Sequence, residues 1–194
     1  MLNNKIETHP WKPFIPASPK IIFFGAFPPK ENKWSMDFYY PNKINDFWRI
    51  FGKIFHNNYS HYIDSETKLF DKERIIEALK IHGIAIADIA YKVVRLKDNA
   101  SDKFLEIIEP INLIKILSDF PSCDTIISTG LKAAEMIAII TNSQIPKIGS
   151  YTEVVINNRK IKIYRMPSTS RAYPLAIDKK TRFYHQLFLD AKIL

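Results

Sequence analysis

Apolar positions along this chain follow two rhythms: short unbroken runs of strand length, and longer stretches in which apolar side chains recur every three or four residues. Lys20-Ile21-Ile22-Phe23-Phe24 is a run of the first kind that stops at Gly25, the pattern of a strand buried on both faces. From Asp46 the spacing of Phe47, Trp48, Ile50, Phe51, Ile54 and Phe55 predicts a helix, with Asp46 placed where the helix dipole favours a carboxylate. Asp71 to Ile81 predicts a second amphipathic helix, ended by His82-Gly83. Ile84-Ala85-Ile86-Ala87 reads as a buried small-residue strand running into Asp88, Pro110 to Phe120 as a third helix, and Thr125 to Gly130 as a third strand. Leu131 to Ile140 returns to helical spacing. Glu153–Ile156 and Lys160–Tyr164 flank Asn157-Asn158 as a hairpin, and Lys179 to Leu194 closes the chain as a helix.

Strands alternating with helices need right-handed crossovers, so the order predicts an α/β fold: a three-layer α/β/α sandwich around a mainly parallel sheet of about four strands. At 194 residues and 46% apolar content the chain suits one domain over residues 1–194. In such sheets ligands bind beyond the carboxyl ends of the strands. Three strand exits are chemically unusual: Gly25-Ala26-Phe27-Pro28-Pro29, Asp88 with Tyr91, and Pro167-Ser168-Thr169-Ser170. They are expected to meet at one edge. The stretch from Ala26 to Asn45 reads as a long irregular loop, and loops of that length in compact domains are usually functional.

A formal charge of +8 attracts polyanions through counterion release, with nucleic acid the natural candidate. A single cysteine, Cys123, forms no internal disulfide, and no paired spacing holds zinc. The five histidines include no i,i+4 metal pair and read as solvated or structural; no metal is expected. No glycine-rich dinucleotide or P-loop motif is present, and Ser168 and Ser170 lie outside a nucleophile elbow, so their hydroxyls suit backbone capping. The opening residues lack the apolar core of a signal peptide, and no run of about 18 apolar residues could span a bilayer, so a cytoplasmic protein without a membrane partner is expected.

Strand-Gly25-Ala26-Phe27-Pro28-Pro29, then Tyr39-Tyr40-Pro41-Asn42-Lys43-Ile44-Asn45-Asp46-Phe47-Trp48-Arg49, then Met166-Pro167-Ser168-Thr169-Ser170-Arg171 together resemble the uracil-DNA glycosylase superfamily. Gly83 to Asp88 resembles the second strand of its hypoxanthine-DNA glycosylase and mismatch-specific branches, to which the likeness is greatest, and the resemblance spans about residues 20–175. It implies base excision from DNA by hydrolysis of the N-glycosidic bond, with neither metal nor cofactor, in a protein expected to be monomeric. By that resemblance Asn45 is the catalytic residue, Gly25, Ala26, Phe27 and Tyr40 bind the base, and Ser168, Thr169, Ser170 and Arg171 hold DNA, with Arg171 entering the gap left by the flipped base. The departures are an aspartate of the best-known uracil glycosylases, replaced here by Phe27, and a histidine missing from Ser168 to Arg171.

The residues read by themselves agree. A carboxamide at Asn45 can donate to a water or a base edge, although asparagine also caps helices well. Tyr40 offers an aromatic face to an extruded base. Asp88 either supplies a carboxylate or, the favoured reading, caps the loop after it. Lys30, Lys33, Lys43, Arg165 and Arg171 fall on or beside the two main loops. The alternative is a catalytically inactive nucleic-acid-binding module on the same fold; a third reading, a small-molecule enzyme, predicts a closed pocket without a basic groove.

Overall fold

The computed structural model describes residues 5–96 and 102–194. In chain order its elements are β1 (Ile6–Thr8), β2 (Ile21–Gly25), α1 (Phe47–His56), α2 (Lys72–His82), β3 (Ile84–Asp88), β4 (Ala90–Arg95), β5 (Leu105–Pro110), α3 (Leu113–Asp119), β6 (Thr125–Ser128), α4 (Leu131–Thr141), β7 (Ser150–Ile156), β8 (Arg159–Arg165) and α5 (Ile177–Asp190). The main sheet has five strands in the order β3-β2-β6-β8-β7. The first four are parallel, and β7 closes one edge antiparallel to β8. Asn157 and Asn158 make the two-residue turn between β7 and β8 with φ of 52° and 60°, the left-handed pair that such a hairpin needs and that asparagine tolerates.

β2 explains its own composition. Successive side chains of a strand point to opposite faces, and here Ile21 and Phe23 enter one apolar cluster with Phe47, Phe51, Leu79 and Phe188, while Ile22 and Phe24 enter another with Leu113, Leu117, Ala133 and Ile137. Helices α1, α2 and α5 supply the first cluster, α3 and α4 the second. A strand enclosed in this way has no face for a polar residue.

The helix starts are set by caps. Asp71 accepts the Arg74 N–H, and Gly83 (φ 66°) ends α2. The helix expected from Pro110 starts only at Leu113, because the Asn112 side chain accepts the Lys115 N–H and so caps it there. Pro110 instead ends β5, an edge strand, where a missing N–H costs nothing. The last helix runs Ile177–Asp190 rather than to Leu194, since Lys192 turns left-handed (φ 54°).

A second, antiparallel sheet in the order β1-β4-β5 has no counterpart in the sequence reading. It carries the proline-rich lead-in to the parallel sheet's edge. Arg95 of β4 donates from Nε to both Glu7 oxygens at 2.9 and 3.0 Å and from Nη2 to the Pro28 carbonyl at 2.7 Å, tying this sheet to the exit of β2. The Ala26–Asn45 segment is irregular as expected, apart from one 3-10 turn at Glu31–Lys33. It is held from within: Trp34 Nε1 donates to the Pro29 carbonyl, Ser35 to that of Pro41, and Trp48 Nε1 to that of Tyr39.

Candidate active site

The parallel register aligns strand ends. Gly25 lies opposite Asp88, Phe24 opposite Ser128, and Ser128 opposite Arg165. The segments that leave these strands therefore open on one edge, around a cleft of about 160 Å3. Gly25 to Pro29 form one wall, Tyr40, Pro41, Asn42 and Asn45 a second, and Ser168, Thr169 and Ser170 a third, with Asp88, Asp102, Thr129 and Gly130 completing the lining. Every residue singled out from sequence for catalysis or base binding, and three of the four singled out for DNA, thus meet at one place. Arg171 instead lines the adjoining groove, with Lys33, Lys103, Tyr173 and Asp102. Of the other loop cations, Arg165 is turned to the Pro146 carbonyl. Tyr91, grouped with Asp88 from sequence, lies outside this cleft: it is exposed on β4, and its carbonyl accepts the His9 N–H.

Tyr40 is held on three sides. Its ring lies flat on Phe47, 3.8 Å between centroids and 7° between planes, its hydroxyl is 2.8 Å from Thr129 Oγ1, and its backbone is left-handed at φ 51°. A tyrosine in that region is strained and persists only where its surroundings over-determine it. Burial first, then the negative charge on Asp88, raise the phenol well above its ordinary value, so it stays protonated.

Asn45 does two things. Its Oδ1 accepts the Phe47 N–H at 2.9 Å, an Asx turn at the start of α1, while the residue lines the cleft with Tyr40. Among the described residues nothing takes its Nδ2. The N–H groups of Ala26 and Phe27 likewise make no hydrogen bond among the described residues. In the late loop, Ser168 Oγ accepts the Ser170 N–H and Ser170 Oγ the Ala172 N–H, the capping expected of this run. Each hydroxyl acts there as an acceptor, which leaves its hydrogen to donate.

The dipole role expected for Asp46 gives way to a stronger one. Buried at the start of α1, its carboxylate takes the Lys180 ammonium and Arg171 Nε, each at 2.9 Å, and makes no cap. Lys180, 1% exposed, also donates to the Ser170 carbonyl, and the Asp46 N–H to that of Thr169. Together these bonds staple the Ser168–Ser170 loop to α1 and hold two walls of the cleft at fixed separation. Arg171, still 57% exposed, lies near Arg49, whose Nε is buried without a partner among the described residues.

Asp88 is the larger surprise. It caps no loop: Oδ2 lies 3.0 Å from Nε2 of His9, and a Cβ on Gly25 would stand 2.2 Å from Oδ1. His9, read from sequence as solvated or structural, is 4% exposed and boxed by Trp11, Phe27 and Tyr39. No local pattern could mark it, because the pairing joins residues 79 apart. Asp102 and Thr129 were also missed. Asp102 is exposed, in the 3-10 turn Asp102–Phe104; desolvation first, then the charge on Asp88, push its carboxyl up to about 6 against the pull of Lys132 and Arg95. The cleft is thus acidic within and basic along the neighbouring groove.

Among the described residues no group of three His, Cys, Asp or Glu side chains is spaced to hold a metal, and no helix is long and apolar enough to cross a membrane. No protein-family model and no curated protein matches this chain. Among solved structures it is similar to the solution NMR structure of a candidate uracil DNA glycosylase from Methanosarcina acetivorans, at 18% identity and a TM-score of 0.63, over 97% of this chain and 99% of that one. What that likeness establishes is the fold: a uracil-DNA-glycosylase-like α/β fold with a mainly parallel sheet.

Proposed function

We propose that this protein is a monofunctional DNA glycosylase that hydrolyses the N-glycosidic bond of a deaminated base, uracil or hypoxanthine, in the manner of the hypoxanthine and mismatch-specific branches. The observation that carries this reading is the meeting of Asn45, Tyr40 and the free N–H groups of Ala26 and Phe27 in one cleft. Breaking the bond leaves positive charge on the sugar and negative charge on the base, so donors are needed at the base and carboxylates at the sugar. The cleft offers both kinds: Ala26, Phe27 and Asn45 Nδ2 as donors, Asp88 and Asp102 as carboxylates. Tyr40 forms part of the wall against which an extruded base stacks, worth about 1–3 kcal/mol.

Phosphates belong on the basic side. Ser168 and Ser170 keep hydroxyl hydrogens to donate, and Lys33, Lys103 and Arg171 line the groove beside the cleft. Arg171 is the residue assigned to the gap in the stack. No step of this chemistry calls for a metal or cofactor. The same reading treats the protein as a cytoplasmic monomer and the fold as a three-layer α/β/α sandwich, which the division of the core into two clusters, each with its own helices, supports.

The test is a panel of labelled oligonucleotides carrying uracil, hypoxanthine, xanthine or a thymine mismatch, treated with alkali after incubation. Cleavage at uracil or hypoxanthine is expected. DNA binding with no cleavage on any substrate replaces this reading with the inactive binding module; neither binding nor cleavage returns the cleft to small-molecule chemistry.

A further inference from the structure

The glycosylase reading leaves one thing unassigned in the cleft, the group that prepares the water. Asp88 ends β3 directly opposite Gly25, and its two oxygens are placed differently. Oδ2 is bonded to His9. Oδ1 is turned toward Gly25, 2.2 Å from where a Cβ on that residue would lie, and the Tyr40 hydroxyl is 3.3 Å from the same Cβ position. Only glycine opposite Asp88 leaves room for the carboxylate to turn this way.

His9 is built to serve that carboxylate. Its Nδ1 is 2.8 Å from the Trp11 carbonyl and 3.1 Å from the Trp11 nitrogen. A neutral ring accepts the Trp11 N–H there, and a protonated ring donates to the carbonyl. In both forms Nε2 carries the hydrogen that Asp88 accepts, so the carboxylate keeps one N–H donor whichever form is present. The ring is packed in place, stacked on Tyr39 and met edge-on by Trp11 and Phe27. The strand before it is docked by β1 on β4, and the His9 N–H by the Tyr91 carbonyl. A separate small sheet thus holds a histidine outside the cleft's lining, with its one side-chain ion partner among the described residues, Asp88, in that lining.

We infer that Asp88 is the carboxylate that orients and deprotonates the attacking water, and that His9 is a positioning residue acting through it. The inference rests on the glycosylase reading of this cleft. As the C1′–N bond breaks, its electron pair leaves on the base and the water oxygen bonds to C1′. One water proton passes to Asp88 Oδ1, the base takes a proton from solvent, and Asp88 returns its own to solvent. The sum is hydrolysis.

The experiment is single-turnover excision per folded molecule, with DNA affinity and melting temperature measured on the same preparations. Asp88→Asn is expected to lower the excision rate about 100-fold or more, the range of a lost general base, while DNA affinity stays the same or rises, because a negative charge has gone. His9→Gln, which keeps an N–H near Nε2, should stay within a few-fold of wild type, and His9→Ala should lose about tenfold. In the Asp88→Asn background His9→Ala should cost nothing more, since it acts through Asp88. A wild-type rate in Asp88→Asn overturns the inference, as does an equal His9→Ala loss in both backgrounds. If Asp88→Asn fails to fold, a wild-type rate in His9→Ala overturns it instead. Failure of the wild-type protein to excise any base of the panel would defeat the glycosylase reading itself, a distinct result.

Discussion

Gly25 is the position at which a single methyl group decides the geometry. A Cβ there would meet Asp88 Oδ1 at 2.2 Å, closer than real Cβ atoms approach anything, so one of the two must move. Gly25→Ala is expected to lower excision at least tenfold with the fold intact, measured as single-turnover rate beside a circular dichroism melt. Asn45 calls for a different pair of substitutions, because its two ends do different work. Asn45→Asp keeps an oxygen for the Phe47 N–H and removes the Nδ2 donor, whereas Asn45→Ala removes both. Loss of one oriented donor costs about 2.7–4 kcal/mol in the barrier, roughly a hundredfold or more in rate, and loss of a cap about 1 kcal/mol in stability. Both variants should therefore excise poorly while only Asn45→Ala melts lower. Normal excision by folded Asn45→Ala would remove the catalytic assignment.

At the scale of elements, the start of α1 and the loop after β8 behave as one piece because a buried ion pair joins them. Removing one member of such a pair strands the other, at about 3–5 kcal/mol. Lys180→Met leaves buried Asp46 with the half-exposed Arg171 alone and should lower the unfolding free energy read from a urea melt by up to that amount. Arg171→Ala should cost under about 1 kcal/mol, since its side chain is more than half exposed. Its effect belongs to function: excision from duplex DNA should fall more than from single strands, where no stack needs filling. Equal losses on both substrates would take the gap-filling role away from Arg171. The aromatic packing around Phe23, which meets Phe47, Phe51, Tyr184 and Phe188, anchors α1 and α5 to β2 and so supports the same two walls.

Over the whole molecule, charge is divided between an acidic cleft and a basic groove, and each half has its own signature. A protein of net charge +8 that grips phosphates should show log affinity falling linearly with log salt, with a slope of about −0.9 per phosphate contacted on duplex DNA; a flat salt response would exclude the groove as the DNA track. Asp102 gives the pH signature. Its carboxyl is raised to about 6 in the folded protein, against about 3.9 in an unfolded chain. Between these values the native state binds more protons, so stability contributed by this residue falls as pH rises from about 4 to 6 and stays low above. Asp102→Asn should accordingly be more stable than wild type at pH 7 and equal to it near pH 4. A stability difference that does not change with pH would contradict the assignment.

Local chemistry was legible in the residues alone. The run Ile21–Phe24 has no polar position because both its faces are covered, Asp71 and Gly83 bound α2 by capping, and Asn157-Asn158 turns the hairpin because asparagine accepts positive φ. The parallel order followed from alternation, and with it the meeting of Gly25, Tyr40, Asn45 and Ser168 at one edge, since parallel strands end together. Sequence could not disclose contacts between segments without a shared period: β4 and β5 lack the unbroken apolar run of β2, and what makes them a sheet with β1 is pairing of β1 with β4 across 84 to 88 residues. Only tertiary structure decided that His9 pairs with Asp88, that Asp46 holds Lys180 and Arg171, and that Arg171 lies beside the cleft. In each case a side chain's partner is set by where a distant backbone passes, and the desolvation that makes the pairing obligatory exists only after the core has closed.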